Sequence, residues 1–469
     1  MSDHLDSESK LWTDDLQVCT QTGAGFATNQ QYREDGARNN EASFKFRDRS
    51  FHIKVDENTC LYAICSGHNG SKVAHLAIQK IAAEIAFGGL SGKTNEEEVK
   101  EVLRQTFITV EKTYLETIDT LLARKAIRQY EIPEGISQYE ISQKYQDILD
   151  ELKQINEELS VGTSVVIALI CHGKLYIANV GNCRALLCKS DTNNVLRVVQ
   201  LSVDHNLYNE DEILRLCQLG LDTQSLRQAP LNCTRCIGSY MNKTGYRDCD
   251  FLSGATAEPV ISQPEIVGAI PVDETCSFLI LMSGGMCKTL QEIFSMEISQ
   301  VNKEMIQMAV EQFRSQSTLA GVAQSMVHKI VQFHHDLYIE HVQERRDEEM
   351  PLPFTRRDDI TLLIRNFNFV MPKSSKRGAV RFNSIVREHP ANNSIVFSDT
   401  NTLSSTNTSQ YINTNSSTSS YSDTNSRYRR DQQKITPYVD FTEYYRNVEQ
   451  ARQSNKLPPG IDFDENVPL

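Results

Sequence analysis

The stretch "TSVVIALICHGKLYIANVGNCRALLCKS", residues 163 to 190, limits what this chain can fold into more than any other part of it. Three apolar blocks rich in β-branched residues are separated by His172-Gly173 and by Gly181-Asn182. Blocks of this length read as strands, and turns this short join antiparallel neighbours. "FLILM" (278 to 282) and "ITLLI" (360 to 364) read as further buried strands. Helical segments alternate with the strands without a strict βαβ rhythm, a mixture that implies sheets sandwiched by helices.

The helices carry their own punctuation. "NEDEILRLCQLG" opens on Asn209 as N-cap, has acids in its first turn and closes at Gly220. "KYQDILDELKQINEEL" places Tyr145, Ile148, Leu149, Leu152, Ile155 and Leu159 on one stripe. "SKVAHLAIQKIAAEIAF" does the same with Val73, Leu76, Ala77, Ile81 and Ile85. It follows "LYAICSGHNG", in which Leu61, Tyr62, Ile64 and Cys65 suit an interior strand and Ser66 to Gly70 suit a turn. A strand that opens through glycines onto a helix is a common ligand site, yet this turn offers no carboxylate, only one serine and one histidine.

Composition narrows the function. The chain has 469 residues, 39% of them hydrophobic, enough for one large domain or two ordinary ones plus tails. A net charge of −13 argues against a general nucleic-acid or anionic-membrane binder. No run approaches the length of a membrane span, and the acidic, polar start is unlike a secretory or mitochondrial leader. The 12 cysteines are scattered and mostly within apolar runs (Cys60, Cys65, Cys171, Cys188, Cys276), as expected of reduced cytosolic thiols. Cys233 and Cys236 form the one close pair, and with no second pair at similar spacing a zinc site is not expected there. His68 and His205 are expected to be structural, and "HHDLYIEH" (334 to 341) to be the solvated face of a long helix.

Residues 12 to 370 read as globular, after a flexible 1 to 11. From 371 to 434 the sequence becomes Ser/Thr/Asn-rich and too polar to offset the entropy of ordering. Aromatic density returns in "ITPYVDFTEYYRNVEQ" (435 to 450), before a last tail of 451 to 469. Pro437 can open a helix there, with Asp440 and Glu443 near its N-terminal end. Phe441, Tyr444, Tyr445 and Val448 then fall on one edge that a groove on a partner could accept, with Tyr438 and Val439 beside it.

In order along the chain, "YREDG", "YAICSGHNG", "GTSVVIALI…LYIANVGNCRALL", "LSVDHNLYNEDE", "FLILMSGGM" and "RRDDITLLIRNF" resemble the motifs of the metal-dependent type 2C serine/threonine phosphatases. The resemblance covers roughly residues 15 to 370. It implies an α+β fold, a four-layer α/β/β/α sandwich of two mainly antiparallel sheets flanked by helices. It also implies two manganese or magnesium ions at one end of the sandwich. The departures matter more. Ser66 stands where the family has the bridging aspartate, Gly284 where it has a second metal aspartate, Asn182 where it has another acid, and Gln30 where it has the phosphate-binding arginine. Glu34, Asp35, the Gly67 carbonyl and Asp358 remain as a vestigial metal site. Two divalent ions about 4 Å apart need bridging carboxylates, so no catalytic centre and no bound cofactor are expected, with weak single-ion magnesium or manganese binding through Asp35 left open.

Three further stretches resemble a pseudophosphatase adaptor branch of the family: "WTDDL" (12 to 16), "IPEGISQYEISQKYQDILDELKQINEEL" and "PYVDFTEYYR" (437 to 446). That resemblance implies a cytoplasmic, inactive adaptor that binds and activates a MAP kinase kinase kinase of the TGF-β-activated kinase 1 type in stress and innate-immune signalling. A p38-type MAP kinase and inhibitor-of-apoptosis proteins are further implied partners. The alternatives are an active metal-dependent phosphatase with altered ligands, and an interaction domain unrelated to this kinase.

Overall fold

The computed structural model describes residues 12 to 372, except 34–37, 40–44, 134, 136, 192, 194, 230, 295–296 and 345–353. The chain divides into two compact units, Met1–Asn383 and Ser384–Leu469, of which only the first contains described residues. Glu34 and Asp35 therefore lie outside the described residues. So do Tyr438, Val439, Phe441, Tyr444, Tyr445 and Val448 of the expected docking helix.

Residues 163 to 190 form the antiparallel run that their turns require. It comprises β6 (Gly162–Cys171), β7 (Lys174–Val180) and β8 (Arg184–Ser190). His172 (φ 50°) and Gly173 (φ 71°) make the tight turn between the first two strands. At Gly181 (φ 85°) the chain leaves one sheet for the other. The first sheet has the order β11-β7-β6-β5-β4, where β4 is Arg49–Lys54, β5 is Thr59–His68 and β11 is Glu265–Pro271. A two-residue strand, β10 (Ile237–Gly238), pairs with the start of β6. The second sheet has the order β1-β14-β12-β8-β9, with β1 Thr22–Ala27, β9 Leu196–Gln200, β12 Cys276–Met282 and β14 Ile360–Asn366. A small third sheet joins β13 (Arg356–Arg357), β2 (Gln30–Tyr32) and β3 (Arg38–Asn39).

Side chains along the central strands sort by period 2 into two cores. Leu61, Ala63 and Cys65 of β5, with Val165, Ile167 and Leu169 of β6, face α1 (Lys72–Glu84), α2 (Glu96–Tyr130) and α4 (Gln146–Leu159). Tyr62, Ile64, Val166 and Ala168 face the second sheet, where Leu187, Leu279, Leu281 and Leu363 meet them. On the far side of that sheet pack α7 (Gly284–Phe294), α8 (Ile298–Ser315) and α9 (Leu319–Glu344). This is the expected four-layer α+β sandwich. Between β9 and β10 lie α5 (Glu210–Gln218), capped by Asn209 as its sequence requires, and α6 (Thr223–Gln228).

Two local expectations change. The inserted helix breaks at Tyr145, between α3 (Gln138–Lys144) and α4, although Ile155 and Leu159 at the end of the stripe are buried. The "HHDLYIEH" face of α9 is not solvated, because His334 and Tyr338 are fully buried. Tyr32 stacks on Tyr338 with ring centroids 4.4 Å apart, and its hydroxyl bonds His334 Nδ1 at 2.9 Å. No helix among the described residues is long and apolar enough to cross a membrane.

Candidate functional site

The strand β5 runs further than its sequence suggests. Ser66, Gly67 and His68 do not turn; they pair in register with Ser164, Thr163 and Gly162 of β6. A matching partner strand satisfies their backbone groups, and that ladder outweighs the local turn preference of Ser-Gly. The chain bends only at Asn69, with φ 58°. The period of the strand is thereby carried to Ser66, which shares the parity of Tyr62 and Ile64.

Beneath Ser66 lies a carboxyl group that the motif reading missed. Asp48 is 1% exposed. It accepts a hydrogen bond from Thr361 Oγ1 at 2.8 Å, and the nearby hydroxyls of Ser66 and Ser283 also favour its ionised form. Burial, reinforced by the nearby Asp359, pushes the Asp48 carboxyl up to about 7. At Gly284, the first residue of α7, a Cβ would run into Asn182 Oδ1. The amide of Asn182 thus fills the space an acid at Gly284 would need.

Asp358 remains, but its oxygens are taken. Oδ1 accepts from Arg47 Nη2 at 3.2 Å, and Oδ2 from Lys288 Nζ at 3.1 Å. Burial works against ionisation here, yet Lys288, Arg356 and Arg47 outweigh it and hold the carboxyl below its ordinary range. The next residue, Asp359, is 3% exposed. It receives the Asn29 backbone N–H and side-chain amide, both at 2.7 Å, and the Arg47 backbone N–H at 2.9 Å. Gln30 is buried and lines a recess of about 50 Å³ with Asn29, Arg47, Arg357 and Asp358. That volume holds little more than solvent. The charged triplet Arg47-Asp48-Arg49 at the entry to β4 was the one sequence signal that could have flagged this end of the sandwich.

Tested against two hard divalent ions, the described donors do not fit. Gly67 and Asp358 supply one carbonyl and one carboxylate already bound by two cations. Ser66 is neutral, and Gly284 has no side chain. Other motif residues serve the framework. Arg184 Nη2 donates to Asp204 Oδ2 at 2.6 Å with both groups buried. His205 Nδ1 accepts the Gly181 N–H at 3.2 Å, and burial holds the imidazole down to about 4. His68, however, lies with Cys233 and Cys236, all donor atoms within 4.8 Å of one another. The Cys-x-x-Cys pair therefore does have a third partner, which β5 brings from 165 residues away in the chain (233 − 68).

A curated relative, the Caenorhabditis elegans "TGF-beta-activated kinase 1 and MAP3K7-binding protein 1", is 27% identical over 59% of this chain, and the match spans 65% of that relative's length. "Protein phosphatase 2C 1" of Paramecium tetraurelia is 25% identical over 56% of the chain and 77% of that protein. Among solved structures, a serine-threonine phosphatase 2C from Toxoplasma gondii aligns with TM-score 0.42 at 15% identity, covering 73% of this chain and 93% of that one. The profile of the family described as "Protein phosphatase 2C" matches residues 90–326, half of the chain. The chain belongs to the protein phosphatase 2C family.

Proposed function

We propose that this chain is a catalytically inactive member of its family, a cytoplasmic adaptor rather than an enzyme. The observation that carries the reading is the state of Asp358. Its carboxylate is bound by Arg47 and Lys288, while the neighbouring ligand positions hold Ser66 on Asp48 and Gly284 against Asn182. Glu34, Asp35, Gly67 and Asp358 are on this reading the remains of a metal site, with no catalytic role. The partner is a MAP kinase kinase kinase of the TGF-β-activated kinase 1 type, which the adaptor binds and activates. The printed name of the Caenorhabditis elegans relative supports that choice. We assign the contact to Tyr438, Val439, Phe441, Tyr444, Tyr445 and Val448. A p38-type MAP kinase and inhibitor-of-apoptosis proteins are further partners for the globular part.

Two measurements test this. With excess manganese or magnesium the purified chain should not hydrolyse para-nitrophenyl phosphate above a no-enzyme control; metal-dependent turnover that disappears in Asp35→Ala would overturn the inactive reading. A peptide of residues 435 to 450 should bind the kinase catalytic domain by itself. Phe441→Ala should weaken it by about 2 kcal/mol or more, as for an anchor in a desolvated pocket, and Thr442→Ala should change little. Equal binding by the two variants removes the docking assignment.

A further inference from the structure

We propose that His68, Cys233 and Cys236 bind one zinc ion. Cys233 and Cys236 are 5% and 1% exposed, and His68 is half-buried. Their sulfur and nitrogen atoms lie within 4.8 Å of one another. Tetrahedral zinc, with bonds of about 2.0–2.3 Å, holds its donors about 3.5–3.8 Å apart. Closing the difference takes small side-chain rotations. Two thiolates and an imidazole select zinc over magnesium or manganese, which favour hard oxygen donors. Three protein ligands leave the fourth position to water or another small donor.

The fold assembles the grouping from three segments. His68 ends β5 and pairs with Gly162, the first residue of β6. From the other side, Gly238 of β10 pairs with the same Gly162. Cys236 directly precedes β10, so the imidazole and the thiols approach each other across the start of β6. Gly162 is what allows this, because a Cβ there would run into His68 Nε2.

The cysteine loop is held by contacts that do not depend on an ion. The Cys236 N–H donates to the Ile261 carbonyl at 3.0 Å, and the Thr234 N–H to the His205 carbonyl at 3.0 Å. Arg235 Nη2 donates to Glu212 Oε1 at 2.6 Å. Lys243 Nζ donates to the Cys236 carbonyl at 2.8 Å and to Glu111 Oε1 at 2.6 Å. The thiols are thus positioned in advance, as a designed-in metal site requires. Glu111 balances Lys243, so two thiolates and a divalent ion add no net buried charge.

The test uses the full chain, expressed in zinc-supplemented medium and purified under reducing conditions without chelator. Elemental analysis should find about one zinc per chain. After removal of zinc, cobalt(II) should give the near-ultraviolet thiolate-to-metal band and the visible bands of a tetrahedral centre. Cys236→Ser should lose both the zinc and the thiolate band. Gly162→Ala, which displaces His68, should weaken metal binding about tenfold or more. Cys249→Ser, outside the cluster, should retain full stoichiometry. A wild-type chain without zinc and without a cobalt band overturns the proposal, as does full zinc in Cys236→Ser. Alkylation showing Cys233 and Cys236 joined as a disulfide in the reduced preparation also overturns it. Should both variants fail to fold, the cobalt spectrum of the wild type decides.

Discussion

Asp48 is a residue whose chemistry departs far from its sequence context. Three hydroxyls, from Ser66, Ser283 and Thr361, surround its fully buried carboxyl, and Asp359 lies near enough to oppose its charge. With the folded carboxyl titrating at about 7 and the unfolded one in the ordinary range, the folded chain alone holds this proton between about pH 4 and 7. The contribution to stability is therefore complete in acid and is lost as pH rises through 7, by up to about 1.4 kcal/mol per pH unit. His52 and His205, both held down to about 4 by burial, act in the opposite sense, weakening the fold as pH drops below the usual histidine range. Comparison with Asp48→Asn separates the two effects. Urea unfolding at pH 5 and pH 8 should show the variant gaining about 2–3 kcal/mol on the wild type across that interval. Parallel pH profiles would mean that Asp48 is ionised throughout.

Of the helix–strand pairs among the described residues, β1 and α9 are packed most closely. Cβ atoms at Gly23 and Gly25 would strike the α9 backbone, at Leu319 and at Ala323, whose carbonyl oxygen would be 2.5 Å from a Cβ at Gly25. Glycine at these two places lets the helix lie directly on the strand, and Gln324 then bonds both the N–H and the carbonyl of Phe26 at 3.2 Å. Gly25→Val should cost about 3 kcal/mol or more, since backbone rather than a flexible side chain must give way. A change in urea midpoint of the size seen for ordinary surface substitutions would show that α9 can slide to accommodate it. The same helix carries His334 and Tyr338 against Tyr32. Its periodicity announced a helix, but a run of histidines, tyrosine and acids gave no sign that this face was buried.

At the scale of the whole molecule, the adaptor reading joins a globular unit to a separate docking segment. Co-expressed full-length chain should raise autophosphorylation of the partner kinase, and Phe441→Ala should abolish most of that rise while leaving the thermal stability of the globular unit unchanged. A chain carrying Phe441→Ala that stimulates as well as the wild type would place activation elsewhere. What the sequence determined by itself is local and periodic. Apolar blocks and tight turns specified the antiparallel run of β6, β7 and β8, Asn209 specified the start of α5, and ordered motifs pointed to the four-layer sandwich. That Ser66 and Gly284 offer no carboxylate was also legible, because an acid is present or absent whatever the fold. Only the tertiary structure decided what lies beside them. Asp48 and Ser66, Gly284 and Asn182, and His68 and the Cys233–Cys236 pair are all distant in sequence. Strand register brings His68 and the cysteines to opposite sides of Gly162, and no local pattern records a register. Charge and donor type can be read along a chain, whereas burial and the company a group keeps are properties of the packed molecule.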